Sequence, residues 1–351
     1  MKKLFISMLA VAALASCSQE DVIVADKGDL IGFNSFVENS TRAAADDVID
    51  PSYSTSGIEG DGVALTKFNV YGAVNGVNIF NGNEVTKGTA GYGSAWTCGA
   101  KQYWINGADY EFVAVVDGNK TVKDSENNDV VITSTTTNAS GIPTAITYNS
   151  DGATDLLCAR VERKKDTNGN TNMSLVQFNF SHLLSKVKFS VKNTTDAAAT
   201  NYRIMLTSAQ ITGALASNTF NVSGDNGAWT AVADSYTPKT FTLDNLEINS
   251  ADQQYHFTEL LLLPGVNVNV IVTAKVEAKD ARDKWTEVST MSRTFENVLG
   301  EGTLVANNAY HFAVSLGIGE EIKFTATTLP DWNEDVDGDG DVDANDNIKL
   351  Q

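Results

Sequence analysis

Residues 178–191, FNFSHLLSKVKFSV, decide the fold of this 351-residue chain. Apolar and polar residues alternate in 175–180 and again in 187–191, and Leu183 and Leu184 lie between the two runs. Such alternation places successive side chains on opposite faces and is typical of β-strands with one buried face. The stretch therefore predicts two strands with a short connection, and we place a domain boundary between residues 183 and 184.

Strand patterns also dominate the rest of the chain, whereas helical periodicity is scarce. Further runs rich in β-branched and aromatic residues predict strands at residues 31–37, 68–74, 110–116, 266–276, 311–316 and 322–326. Clusters of Gly, Asn, Asp and Ser, such as Asn81-Gly82-Asn83, separate these runs and supply the backbone freedom that tight turns need. We predict an all-β fold built of antiparallel sandwiches.

Composition limits the classes of function. The chain has 25 Lys and Arg against 44 Asp and Glu, a formal net charge of -19 at pH 7. An acidic surface repels phosphate backbones, so nucleic acid is not an expected partner. The length is sufficient for two domains of usual size, each with its own core.

The N-terminus has the pattern of a lipoprotein signal peptide, residues 1–16. Lys2 and Lys3 precede a mostly apolar run, 4–13, which is too short for a transmembrane helix, and Leu14-Ala15-Ser16 comes directly before Cys17. We predict that Cys17 carries the lipid (diacylglycerol and palmitate) that tethers the mature chain to a membrane. The acidic run after it resembles signals for the outer face of the outer membrane. The alternative is an ordinary secretory signal followed by a chance cysteine.

The other two cysteines are Cys98 and Cys158. An exported protein can join them in a disulfide, but the sequence sets no distance between them, so pairing and two free thiols both stay open. Cys158 lies in an apolar, strand-like run, 156–159, with no histidine near it in sequence. We interpret both cysteines as structural rather than catalytic.

Motifs for catalysis are missing from the sequence. It contains no G-x-S-x-G, H-E-x-x-H or C-x-x-C spacing and no phosphate-binding glycine loop. His182 is interpreted as a hydrogen-bonded core or turn residue. Alternation places His256 and His311 on the strand face opposite their aromatic neighbours, so no metal triad is expected. We predict a protein that is not an enzyme; a surface hydrolase would need clustered acids in a cleft.

Several motifs together resemble the fimbrillin family of outer-membrane lipoproteins. They are F-x-F-x-H followed by L-L-S-K-V at 178–187, Trp96, Tyr103-Trp104, and the runs at 110–114, 155–159, 308–312 and 330–332. The resemblance covers most of the chain. It implies two tandem transthyretin-like β-sandwich domains, at 43–183 and 184–351, and polymerisation with other pilin subunits into type V pili.

The same resemblance implies a cleavage site after Arg42, which is the only arginine between Cys17 and Arg160. A trypsin-like protease would cut between Arg42 and Ala43 and release a propeptide, residues 17–42, together with its predicted strand. This would expose an apolar groove with unpaired backbone groups, to be filled by a strand of another subunit. Otherwise Arg42 is only a linker residue.

The C-terminal tail has the spacing of a calcium loop at residues 335–346. Acids at loop positions 1, 3, 5, 9 and 12 and Gly340 at position 6 fit the ligands and the sharp turn that such loops need. The loop resembles those of dockerins, which also have Asp at position 12. We expect one Ca²⁺ and no organic cofactor, with the ligands Asp335, Asp337, Asp339, Asp341, Asp343 and Asp346. The alternative is a solvated acidic turn.

The leading hypothesis is therefore a structural subunit of a surface fimbria that supports adhesion to a host surface or glycan. The alternative is a monomeric surface lipoprotein that binds glycan or host protein and never polymerises. Both place the chain at the outer membrane and the cell surface.

Overall fold

The computed structural model describes residues 29–37, 65, 67–87, 96–116, 132–195, 201–223, 227–233, 235–243, 246–248, 254–257, 259–329 and 332. In these ranges all regular structure is β-strand and no helix occurs, which confirms the all-β prediction. The strands are β1 (Phe33–Val37), β2 (Lys67–Val74), β3 (Val77–Lys87), β4 (Trp96–Cys98), β5 (Tyr110–Val116), β6 (Ile132–Thr137), β7 (Pro143–Asn149), β8 (Leu157–Arg163), β9 (Val176–His182), β10 (Ser185–Asn193), β11 (Tyr202–Leu215), β12 (Ser217–Asn221), β13 (Ala228–Trp229), β14 (Pro238–Leu243), β15 (Leu246–Ile248), β16 (Gln254–His256), β17 (Leu260–Leu262), β18 (Asn269–Lys279), β19 (Trp285–Phe295), β20 (Ala309–Leu316) and β21 (Lys323–Leu329).

The first sheet has seven strands in the order β1-β9-β8-β5-β2-β3-β4. β1 pairs in parallel with β9, and the other neighbours are antiparallel. The two ends of the sheet meet, because Ile31 N–H donates to the Gln102 carbonyl at 2.9 Å and Trp104 N–H donates to the Asp29 carbonyl at 3.0 Å. The sheet therefore curls around an aromatic core.

A four-stranded sheet, β13-β12-β7-β6, covers the outer face of the curled sheet. Val113 and Val115 of β5 pack there in one buried cluster with Ile146 of β7 and Phe220 of β12. β6 and β7 precede the predicted domain boundary, whereas β12 and β13 follow it. The two parts of the chain thus share one sheet and one buried cluster.

The C-terminal strands form two five-stranded sheets around a separate core. One has the order β16-β10-β20-β21, with β17 also paired to β10; the other has the order β14-β11-β18-β19, with β15 also paired to β11. Val187, Phe189 and Val191 of β10 face this core, as their alternation predicts. The arrangement of packed sheets is sandwich-like.

The two cysteines do not pair. Both are free thiols, Cys98 in β4 and Cys158 in β8, with β3, β2 and β5 between them in the sheet. Cys98 packs against the aromatic core inside the curled sheet, whereas Cys158 belongs to the cluster on the outer face. A disulfide needs Cα atoms within about 7 Å, which this arrangement does not provide. The disulfide that the sequence left open is therefore not formed in this chain.

Candidate assembly site

The aromatic side chain of Phe33 anchors β1 in the core. Phe33 is buried, and its ring centroid lies between 5.5 and 6.4 Å from those of Phe68, Phe80, Phe112 and Phe178. Burial of a side chain of this size contributes about 1.5–3 kcal/mol. We call the space that β1 occupies between β9 and residues 102–104 the β1 groove.

The floor of the β1 groove depends on a glycine in β2. A Cβ at Gly72 would lie 2.8 Å from Phe80 Cδ2 and 2.9 Å from Phe112 Cδ1, closer than real Cβ contacts. Both of these rings contact Phe33. Gly72 therefore lets the aromatic rings approach the sheet closely.

β1 fits its groove imperfectly at one position. Ile31, Phe33 and Ser35 alternate inward and are all buried, with Asn34 exposed between them. The Ser35 hydroxyl has no hydrogen-bond partner in the part of the chain that the structure describes. A buried polar group without a partner costs about 1–3 kcal/mol, so this side chain weakens the hold on β1.

The residues just before β1 complete a backbone ladder on both sides. Besides the two bonds to residues 102–104, Val176 N–H donates to the Gly32 carbonyl at 2.9 Å. In β1 itself the register runs from Phe33 opposite Val176 to Val37 opposite Phe180. A chain without β1 would leave these backbone groups of its neighbours unpaired.

Most of the residues proposed from sequence lie outside the described residues. This applies to Cys17, to Arg42 and Ala43, and to the acidic loop, 335–346, so lipid attachment, cleavage and calcium binding stay predictions. Within the described ranges no group of three or more His, Cys, Asp or Glu side chains could hold a metal ion. In the same ranges no helix is long and apolar enough to cross a membrane.

His182 is a hydrogen-bonded core residue, as predicted. Its Nδ1 lies 2.5 Å from Asp155 Oδ2, and both side chains are buried. The imidazole stacks on Trp332, with ring centroids 3.9 Å apart. Lys186 Nζ lies 5.7 Å from the centroid of a Trp332 ring and pairs with Glu259 at 2.8 Å. This polar cluster fixes the end of the described chain against the connection between β9 and β10.

The remaining two histidines lie on the polar face of β16 and β20. His311 Nε2 is 2.6 Å from Ser190 Oγ, which also accepts a hydrogen bond from Gln254 Nε2 at 2.9 Å. The rings of His256 and His311 are stacked with centroids 6.4 Å apart, a contact that the sequence did not predict. Burial, together with the charges of His256 and Lys188, lowers the pKa of His311 from 6.5 to about 4. A neutral imidazole here is structural.

Comparison with known proteins places the molecule in a family. The fimbrillin-like family matches residues 41–332, most of the sequence. The chain belongs to the fimbrillin-like family. This match confirms the resemblance to fimbrillins that the sequence motifs indicate. Membership of a family of fimbrial proteins is consistent with the lack of catalytic motifs in the sequence. No curated protein matches the chain.

Solved structures share the fold of this fimbrillin-like chain. A fimbrial protein from Bacteroides vulgatus ATCC 8482 is 15% identical with a TM-score of 0.54, and the alignment covers 86% of this chain and 99% of that one. A protein of Bacteroides ovatus ATCC 8483, provisionally assigned to cell adhesion, is 13% identical with a TM-score of 0.51, covering 88% and 99%. At these identities the likeness shows a common architecture.

Proposed function

We propose that this chain is a structural subunit of a cell-surface fimbria. It is exported as a lipoprotein on Cys17, cut between Arg42 and Ala43, and polymerised by strand exchange to support adhesion. The observation that carries this proposal is the position of β1. It is an edge strand that lies upstream of Arg42 and fills an aromatic groove in the body of the protein.

Cleavage would change how β1 is held. In the uncut chain β1 is covalently attached, so it competes for its groove at a high effective concentration. After a cut at Arg42, β1 would be retained by non-covalent contacts, among them those of Ile31 and Phe33 and the backbone ladder. A strand of another subunit could then replace it and pair the same backbone groups.

The finer architecture belongs to the same proposal. We expect two transthyretin-like domains, 43–183 and 184–351, with β12 and β13 of the second adding to a sheet of the first. The loop at 335–346 is proposed to bind one Ca²⁺, because six aspartates repel one another until a divalent cation neutralises them. Calorimetric titration with Ca²⁺ of the chain and of the variant Asp335→Ala/Asp339→Ala tests this. Equal heats from the two proteins would exclude a calcium site in this loop.

The decisive experiment for function compares Arg42→Ala with Lys27→Ala, the other upstream basic residue of the mature segment. We expect the unmodified protein and Lys27→Ala to reach the surface with Ala43 as first residue and to form high-mass ladders. Arg42→Ala should keep Cys17 and stay monomeric, because β1 cannot leave. Normal ladders from Arg42→Ala would contradict the proposal, and lipidated monomers from all three proteins would favour a monomeric binder.

A further inference from the structure

Exposed apolar side chains concentrate where the chain leads into β1. Nine large hydrophobic side chains are exposed among the described residues, and five of them belong to segments that meet at this end of the curled sheet. They are Leu30, Tyr103, Ile105, Met173 and Leu175, with exposures of 50%, 50%, 55%, 37% and 58%. We call the last four, which remain after a cut at Arg42, the rim patch. Concentrated apolar surface marks interaction sites, whereas scattered residues do not.

Backbone contacts hold these segments together. Leu30 forms an isolated β-bridge with Tyr103. Leu175 lies over the start of β1, because a Cβ at Gly32 would be only 2.5 Å from its Cδ2. Asn106 Oδ1 accepts a hydrogen bond from Thr171 N–H at 2.8 Å, which brings the segments of Ile105 and Met173 side by side. The rim patch is therefore continuous with the β1 groove.

The rim patch also borders a backbone edge that needs an extended partner. Gln102 carbonyl, Trp104 N–H and Val176 N–H are all bonded to residues 29–32, upstream of β1 itself. When those residues leave, the three groups lose their partners. A peptide in extended conformation can pair with all three backbone groups, whereas a lipid surface or a glycan cannot do so in the same register.

We propose that the rim patch is the first docking site for an extended strand of a second copy of this chain. This rests on the proposed function. The patch is exposed while β1 is still in place, whereas Ile31 and Phe33 close the groove. The incoming strand binds the patch first and then replaces β1 towards Val37. Because the ladder covers residues 29–37, the incoming strand pairs over about nine positions. This paired length exceeds the five residues of β1.

A kinetic experiment tests the docking step. The chain from residue 18 is cut with a trypsin-like protease, and ladder formation is followed for the unmodified protein, Ile105→Ser/Leu175→Ser and the control Val288→Ser/Val305→Ser. The control removes two valines that are also exposed, at 54% and 49%, outside the patch. We expect the patch variant to polymerise at least about tenfold more slowly, since two apolar contacts are lost at docking. The control should match the unmodified protein.

Hydroxyl-radical footprinting gives a second readout on the unmodified sequence. Tyr103 and Met173 should react in the monomer and become protected in the polymer, while Tyr202, which is 40% exposed, serves as the internal reference. Equal rates for both variants with unprotected Tyr103 and Met173 would overturn the docking site and leave the fimbrial function standing. Cut chains that form no polymer at all would overturn both.

Discussion

β1 and β10 are both paired in parallel with a later strand, but β1 is the first strand in its sheet order, whereas β10 lies between other strands. β1 has five residues and pairs as a strand with β9 alone, while residues 29–31 before it bond to residues 102–104. β10 has nine residues, pairs with β20 over eight positions and with β16 and β17 on its other side. We therefore expect that position in the sheet, rather than the type of pairing, decides which strand can be replaced.

The side chains repeat this contrast. β10 buries Val187, Phe189 and Val191 in the C-terminal core, and its Lys186 forms an ion pair with Glu259 on the opposite face. Among the β1 side chains that the structure describes, Phe33 is buried, and the buried Ser35 hydroxyl has no hydrogen-bond partner in the described ranges. We therefore expect the free energy of local opening to be lower for β1 than for β10.

The largest expected effect comes from truncating one aromatic side chain in each of the two strands. Phe33→Ala should destabilise the uncut protein by about 3–5 kcal/mol, because it leaves a cavity where the Phe33 ring fills the β1 groove. It should leave the polymer unchanged, since residue 33 has departed. Phe189→Ala should destabilise both forms. Denaturant unfolding of the uncut protein and of the polymer checks this, and a polymer weakened by Phe33→Ala would show that β1 stays.

Acidic pH should destabilise the C-terminal sheet that contains β10 rather than the sheet that contains β1. The folded protein holds the pKa of His311 near 4 against 6.5, so the unfolded chain binds more protons between these values. The contribution of His311 to the free energy of unfolding is fully present above pH 6.5 and should fall by roughly 3 kcal/mol as the pH drops to 4. Unfolding of the unmodified protein and of His311→Gln at several pH values measures the slope. The variant should show a flatter slope, and an unchanged slope would exclude His311 as its source.

Filling the floor of the β1 groove should destabilise uncut and polymerised protein alike. Gly72→Ala places a methyl group against Phe80 and Phe112, and such overpacking costs about 1–3 kcal/mol. Gly99→Ala is the matched control, because a Cβ there meets nothing within 4 Å. Thermal unfolding of both variants tests the contrast. Equal melting temperatures would mean that the rings move aside freely.

A small stabilisation should follow from removing the misfit in β1. Ser35→Ala deletes the buried hydroxyl without adding volume, so we expect about 1 kcal/mol of gain in the uncut protein. After cleavage the same variant should release β1 more slowly. Quantification of the released peptide over time measures this, with Asn34→Ala as the exposed neighbour for comparison. Faster release from Ser35→Ala would show that the hydroxyl has a favourable contact.

The sequence predicted individual strands better than their partners. Alternation located residues 110–116 as β5 without error, and placed the strand at 266–276 where β18 runs from Asn269 to Lys279. That strand starts later because the chain is still turning at Gly265, which has a φ of 99°. Alternation reports which residues are buried, and Val266 and Val268 are buried outside any strand.

Partners distant in sequence could not be predicted from local pattern. The pairing of β7 with β12 across the predicted domain boundary depends on how the sheets pack. In the same way, no motif links His182 to Asp155 and Trp332, or Phe33 to its four rings. The sequence did identify a strand upstream of Arg42 and implied an apolar groove for it, and the structure added the aromatic residues that line this groove.

A reversible cross-link between β1 and β9 tests most directly whether β1 must leave its groove before the protein polymerises. Asn34 and Gln177 are exposed and directly opposite each other, and strands about 4.8 Å apart allow a disulfide. The variant Asn34→Cys/Gln177→Cys, with Cys98 and Cys158 replaced by Ser, is oxidised and then cut after Arg42. We predict monomers while the cross-link is intact and ladders after reduction. Polymerisation of the oxidised, fully cross-linked protein would contradict the account.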